Sequence, residues 1–329
     1  METAIPLDQN FWLTVIIPLF NGAEYIASTL ESIESQNFAD LTGVEVIVVD
    51  DGSDDAGPQI VSEFVSTFRC RLLSIPHTGN WASNSNIGLN EAAGVFSCFL
   101  HQDDRWESNR LKLIKEAINN KPDCEWITTE SWFINANGER TGRWRSPFST
   151  PKSSPVEHQP FHHLLVQNSL SICAPVFRTE IAVSNGGLNA RTKYTADWEF
   201  WLKLAARASW IHLKEPTVSF RVHRNSQTMQ IIKQRDEFRR NICESLDFGI
   251  ALARKENICV PEPLRQMAQF SADVNIFLAE AGQSGITPMV ISLTNLLKRA
   301  LKLGGRGLLN YMHASRIVDR ILARRAIYL

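Results

Sequence analysis

Two stretches of the chain carry adjacent carboxylates at the end of an apolar run. The first is Val44-Glu45-Val46-Ile47-Val48-Val49-Asp50-Asp51-Gly52-Ser53. The second is Val95-Phe96-Ser97-Cys98-Phe99-Leu100-His101-Gln102-Asp103-Asp104. A Val/Ile-rich run of this length reads as a strand buried on both faces of a parallel sheet. In such sheets ligands bind beyond the carboxyl ends of the strands. Two adjacent acids there cannot both be core, so at least one is expected to face a crevice. There it can accept hydrogen bonds from a base or ribose, or help to hold a cation. Alone, Asp51-Gly52-Ser53-Asp54 fits a plain turn into a helix equally well. Two acid-tipped strands facing one cleft make the stronger case.

The elements that must position these residues alternate. Leu13-Thr14-Val15-Ile16-Ile17-Pro18 reads as a first strand, with Pro18 marking its end because it cannot donate to a ladder. Asn21 reads as an N-cap with Glu24 as its partner, followed by Tyr25, Ile26, Leu30 and Ile33 at helical spacing. Ile60, Val61, Phe64, Val65 and Phe68 give a second amphipathic helix, and Arg71–Ile75 a short strand. A helix from Asn84 to Ala93 stops at Gly94. The first hundred residues therefore read β-α-β-α-β-α-β, a mostly parallel sheet wrapped by helices. Trp126–Thr129 and Ser131–Ile134 precede the turn dipeptide Asn137-Gly138, which predicts a hairpin over 125–145. Four prolines between 146 and 160 predict a mobile loop over the acceptor site.

These residues also carry a family resemblance. Val15-Ile16-Ile17-Pro18-Leu19-Phe20-Asn21, Val48-Val49-Asp50-Asp51-Gly52-Ser53, Asn86-Ile87-Gly88 with Ala93-Gly94, and Phe99-Leu100-His101-Gln102-Asp103-Asp104 follow in an order that resembles inverting glycosyltransferases of family 2 with the GT-A fold. Gly186-Gly187-Leu188 before Ala196-Asp197-Trp198-Glu199, and Phe220-Arg221-Val222-His223, extend it over roughly 11–228. The resemblance implies an α/β, Rossmann-like GT-A catalytic domain over 1–228 and leaves 229–329 as a helical C-terminal region. It implies transfer of a sugar from a nucleotide-diphosphate donor to a saccharide or lipid-linked hydroxyl acceptor, with inversion, in surface polysaccharide or lipopolysaccharide assembly. Pro18, Asn21, Asp50 and Asp51 would border the nucleotide. Asp103 would touch a divalent metal, Mn²⁺ or Mg²⁺, with Asp104 near the sugar. Asp197 would be the base that takes the acceptor proton, its pKa raised by an apolar wall; as a bare position it also fits a helix N-cap. Arg221 would grip the diphosphate and His223 would complete the metal shell.

His101 departs from that pattern, standing where the family's acid-x-acid signature has Asp. Imidazole is a poor ligand for Mg²⁺ and a good one for Mn²⁺. It can equally hydrogen-bond the loop. The missing acid leaves open a non-catalytic nucleotide-sugar binder of the same fold. A dinucleotide oxidoreductase is disfavoured, since no G-x-G-x-x-G follows the first strand.

Composition fits a globular protein, not a disordered one: 44% hydrophobic and 21% charged over 329 residues. The formal charge is −1 but uneven, with 15 Lys+Arg against 9 Asp+Glu after residue 228. The acidic remainder does not suit nucleic acid. Six cysteines without paired spacing read as reduced, mostly buried thiols of a cytoplasmic protein. No secretory signal or spanning helix is expected. The basic, amphipathic end, Leu296–Leu303 and Ile317–Arg325, fits peripheral contact with the inner face of the membrane, or self-association, or packing on the catalytic domain.

Overall fold

The protein is described by a computed structural model over residues 11–65, 69–149, 159–223, 234–281 and 286–319. Its centre is set by three parallel, mostly apolar strands, β1 (Leu13–Leu19), β2 (Val44–Asp50) and β4 (Phe96–Phe99), every residue buried. β3 (Cys70–Ser74) extends this sheet beyond β2. The nine-stranded sheet runs β3-β2-β1-β4-β8-β6-β9-β5, with β7 pairing β6. Here β5 is Arg105–Trp106, β6 Trp126–Ile134, β7 Arg140–Trp144, β8 Val176–Arg178 and β9 Trp210–Arg221. β8 is antiparallel to both β4 and β6, whereas β6 and β9 are parallel. The predicted hairpin forms as β6 and β7, with Gly138 at φ +84° in its turn.

Helices cover both faces. α1 (Ile26–Glu34), α3 (Gly57–Phe64) and α5 (Arg110–Asn120) bury Ile26, Leu30, Val61, Leu111 and Ile114 against Val15, Ile17, Val46 and Val48. The short α2 (Phe38–Leu41) lies between α1 and β2. The other face takes α4 (Trp81–Asn90), α6 (Gln159–Val166), α7 (Thr179–Ser184) and α8 (Ala196–Arg207). Two glycines of the family pattern have steric reasons. A Cβ on Gly88 would come within 2.5 Å of Ile16 Cγ2, and one on Gly94 within 2.6 Å of the Thr14 backbone nitrogen. These close approaches let α4 and the start of β4 lie tight on β1.

Several expectations are corrected. Pro18 lies inside β1, not at its end; its side of the strand faces β4, whose pairing with β1 already stops at Ile16, so no ladder partner is lost. Asn21 is no helix cap. It sits at φ 47°, and α1 begins at Ile26 after Tyr25, without a side-chain cap. α4 starts three residues earlier than periodicity suggested because Asn80 accepts from Ala82 N and Ser83 N. In the proline-rich segment, Pro147–Ser149 form a 3₁₀ turn and Pro160 lies in α6, while 150–158, like Phe68, lie outside the described residues.

After residue 234 come α9 (Arg235–Lys255), α10 (Glu262–Ala281) and α11 (Ile286–Ser315). Phe238, Ile242, Leu246, Ala268 and Ala272 join the core that holds Phe99, Trp126 and Phe200, so these helices are packed on the sheet domain. α11 rests on α10 and α6 through Leu296, Ala300, Leu303 and Tyr311. Among the described residues no helix is long and apolar enough to cross a membrane.

Candidate active site

The parallel registers bring the carboxyl ends of β1, β2 and β4 to one edge, with Leu19 beside Asp50 and Ile16 beside Phe99. The loops that leave them meet there. Gln102 accepts from Phe20 N at 2.8 Å and donates to Phe20 O at 3.1 Å, tying the β4 end to the β1 end. Asn21 N donates to Ser53 Oγ at 2.9 Å, and Asn21 Oδ1 accepts from Asp54 N at 2.9 Å, tying β1 to β2. Asn21 is thus a staple between two loops, which explains its left-handed backbone.

Both acids at the end of β2 are buried, Asp50 at 4% and Asp51 at 2% exposure. Asp50 Oδ1 accepts from Ser53 N at 3.1 Å. Asp51 spends both oxygens on the next loop, accepting from Thr78 N at 2.6 Å and Gly79 N at 2.9 Å. Burial alone would raise its pKa; the bonds from Thr78, Asn84 and Gly79 outweigh it and hold Asp51 below the usual carboxylate range. Asp51 therefore shapes the crevice from beneath, where the sequence suggested an open contact. The surface it supports is aromatic: Phe20 and His77 are both exposed, with ring centroids 4.5 Å apart.

The β4 end carries the denser chemistry. His101, Asp103 and Asp104 each offer a ligand atom within 4.8 Å of the other two. Asp103 Oδ2 lies 2.9 Å from His223 Nε2. Burial works to raise Asp103, but the His223 bond and the nearby imidazoles keep it low. Asp104 is 1% exposed; burial first, then the charge of Asp103, push it well above the usual range. Its Oδ1 accepts from Arg221 N at 2.9 Å, and its buried Oδ2 has no hydrogen-bond partner among the described residues. His101 Nε2 is likewise buried and unpartnered, and burial lowers the pKa of this imidazole despite the pull of Asp103. A neutral imidazole and carboxylate oxygens with unused lone pairs are a donor set that fits a divalent cation, Mn²⁺ better than Mg²⁺. His223 touches this cluster through Asp103 and is not one of its three grouped residues.

Arg221 is 3% exposed and faces inward. Its Nε donates to Asp103 O at 2.7 Å, and its Nη1 to Asn135 O at 3.0 Å and Ala136 O at 2.8 Å. The guanidinium also lies 4.6 Å from the Tyr25 ring centroid. Through Nε and Nη1, Arg221 braces the acidic loop on backbone carbonyls.

Asp197 sits in the first turn of α8, one residue after its first position; Thr195, not Asp197, is the N-cap. Its Oδ2 accepts from Asn168 Nδ2 at 2.8 Å and its Oδ1 from Trp198 N at 2.8 Å. Burial against this aromatic helix still lifts its pKa to about 6. The loop leading to it reaches the acidic cluster through Trp81, whose Nε1 donates to Lys193 O at 2.8 Å and whose ring meets His101 edge-on at 5.0 Å. Trp81, Gln102, Tyr25 and Asn168 were not singled out from sequence. Tyr25 looked like an ordinary helix-face residue, Trp81 fell outside the expected helix, and Asn168 carries no local signal.

Comparison with known proteins agrees with this geometry. Residues 14–172 match the model of glycosyl transferase family 2. An uncharacterized glycosyltransferase of Rickettsia prowazekii, RP339, is 23% identical over 88% of the chain and 87% of its own length. TarS of Staphylococcus aureus, a poly(ribitol-phosphate) β-N-acetylglucosaminyltransferase, is 33% identical over 30% of the chain and 17% of its own length. Its 1–349 fragment in complex with UDP-GlcNAc superposes with a TM-score of 0.58 at 19% identity, covering 82% of this chain and 83% of that one. A mannosyltransferase of Pyrobaculum calidifontis, PcManGT, in complex with GDP-Man and Mn²⁺, gives 0.51 at 16% identity, covering 96% and 87%.

Proposed function

Because residues 14–172 belong to glycosyl transferase family 2, on a GT-A fold, and the chain is a glycosyltransferase, we propose that it moves a sugar from a nucleoside-diphosphate donor to a hydroxyl of a saccharide or lipid-linked acceptor, with inversion. The observation that carries this reading is Asp197, a carboxyl lifted to about 6 by burial and oriented by Asn168. A general base works best when its pKa lies near the working pH while it is still ionised. In the proposed reaction the acceptor oxygen attacks the anomeric carbon from the face opposite the donor's diphosphate. The acceptor proton passes to Asp197, and the bond from the anomeric carbon to the diphosphate oxygen breaks. The nucleoside diphosphate leaves with that electron pair.

The other residues support this division of labour. Phe20 and His77 offer an aromatic surface for the base, held up by Asp51 and Asp50. His101, Asp103 and Asp104 would hold a divalent cation, which when bound supplies positive charge against the growing charge of the diphosphate. His223 and Arg221 keep Asp103 and Asp104 aimed. TarS and PcManGT, bound to UDP-GlcNAc and GDP-Man in their structures, suggest UDP- and GDP-sugars as first donors to try. The acceptor named for TarS favours a surface polymer. The free cysteines, four of them buried, suit a cytoplasmic reaction.

A thermal-shift panel of UDP-, GDP- and dTDP-sugars, with and without Mn²⁺, tests the donor assignment. Mass action predicts a raised melting temperature for one nucleotide class, larger with Mn²⁺. No shift from any member contradicts it. Proton NMR of the product then reads the anomeric configuration, and retention would overturn the role given to Asp197.

A further inference from the structure

The stretch 281–318 contains five Lys or Arg and no Asp or Glu. It includes α11, whose inner face packs on α10 and α6. Beside that face runs a strip left uncovered among the described residues: Leu293, Leu297 and Leu301 are 39%, 56% and 82% exposed. Their spacing of four places them in one row. Lys298 and Lys302, both exposed, form the neighbouring row one residue on. The helix breaks at Gly304, φ 63°, and beyond the break Leu309 and Met312 are again exposed, at 68% and 48%. A row of leucines in water is unfavourable unless something covers it.

The charge pattern identifies the cover. A second copy of the chain meeting this surface across a two-fold axis would set its lysines against the same lysines, with no acid on the helix to compensate. An anionic lipid surface satisfies both rows. The leucines enter the headgroup–acyl boundary and the lysines remain among the phosphates. We propose that α11 docks the enzyme on an anionic membrane surface. This placement rests on the α11 surface alone and stands or falls separately from the donor assignment.

The test is co-sedimentation of the full chain with phosphatidylcholine vesicles, with and without phosphatidylglycerol. Pelleting is expected with the anionic vesicles only, and it should weaken with salt. Replacing both lysines, Lys298→Gln with Lys302→Gln, should weaken vesicle affinity roughly fivefold per cation, about 25-fold together. Leu297→Glu with Leu301→Glu should abolish pelleting. Both side chains point to solvent, so melting temperature and donor turnover should hold. Absence of pelleting, or equal pelleting on neutral vesicles, would overturn the proposal. So would light scattering that shows a dimer turned into a monomer by the leucine pair.

Discussion

Replacing Asn168 with Ala should move the acid limb of the pH–rate profile without abolishing catalysis. Asn168 donates to Asp197 Oδ2 at 2.8 Å and favours the ionised carboxylate. Losing a hydrogen bond to a charged group is worth about 1.5 kcal/mol. One pKa unit corresponds to about 1.4 kcal/mol, so Asp197 should rise from about 6 to about 7. The base must be ionised to act, so kcat/KM falls on the acid side. At about pH 6 roughly half of the wild-type carboxyl is ionised and about a tenth of the variant's, a fivefold loss; at about pH 8 the two differ by about 10%. The assay is release of nucleoside diphosphate from the donor at saturating Mn²⁺, with kcat/KM followed across pH. An acid limb that stays in place, or moves to lower pH, would refute the assignment of Asp197 as the titrating base.

Further outcomes follow from other contacts. Asp197→Asn should stabilise the fold at the expense of activity. The folded pKa of about 6 lies above the ordinary 3.8, so charging this carboxyl costs stability as pH rises through that window. The gain should be on the order of 1–2 kcal/mol above about pH 7, after discounting for partial exposure, and vanish below about pH 4, read from denaturant midpoints. His101→Asp exchanges an imidazole for a hard carboxylate oxygen, so the ratio of activity with Mn²⁺ to that with Mg²⁺ should fall by about tenfold. Arg221→Ala removes the bonds to Asp103, Asn135 and Ala136 and the Tyr25 ring contact, a loss of about 3–4 kcal/mol that calorimetry would read as a melting temperature lower by about 10 °C. Lys at this position should rescue little, because an ammonium cannot reproduce the guanidinium fork.

The central sheet was legible because its strands are mostly apolar, and the two acid-tipped ends, on β2 and β4 with β1 between them, open at the same edge. The hairpin at Asn137-Gly138 was legible from turn chemistry. The roles of individual polar residues were less so, because they depend on loops distant in sequence. Asp51 is bound by Thr78 and Gly79, Asn21 by Ser53 and Asp54, and Arg221 by Asn135 and Ala136. Nothing local announces such pairings, so an inward-facing brace and an outward-facing ligand look alike in the chain. Asp197 illustrates the reverse. Its aromatic neighbours in sequence, Trp198, Phe200 and Trp201, signalled a buried wall, while its partner Asn168 lies 29 residues upstream.

The most direct measurement is single-turnover transfer by Asp197→Asn, with donor binding followed in parallel by thermal shift. Removing a general base should slow transfer by about 10²–10⁴-fold. The donor-induced shift should persist, since Asp197 lies on α8 and the edge proposed for the nucleotide is built from the β1, β2 and β4 ends. Transfer at the wild-type rate, with binding intact, would contradict the account.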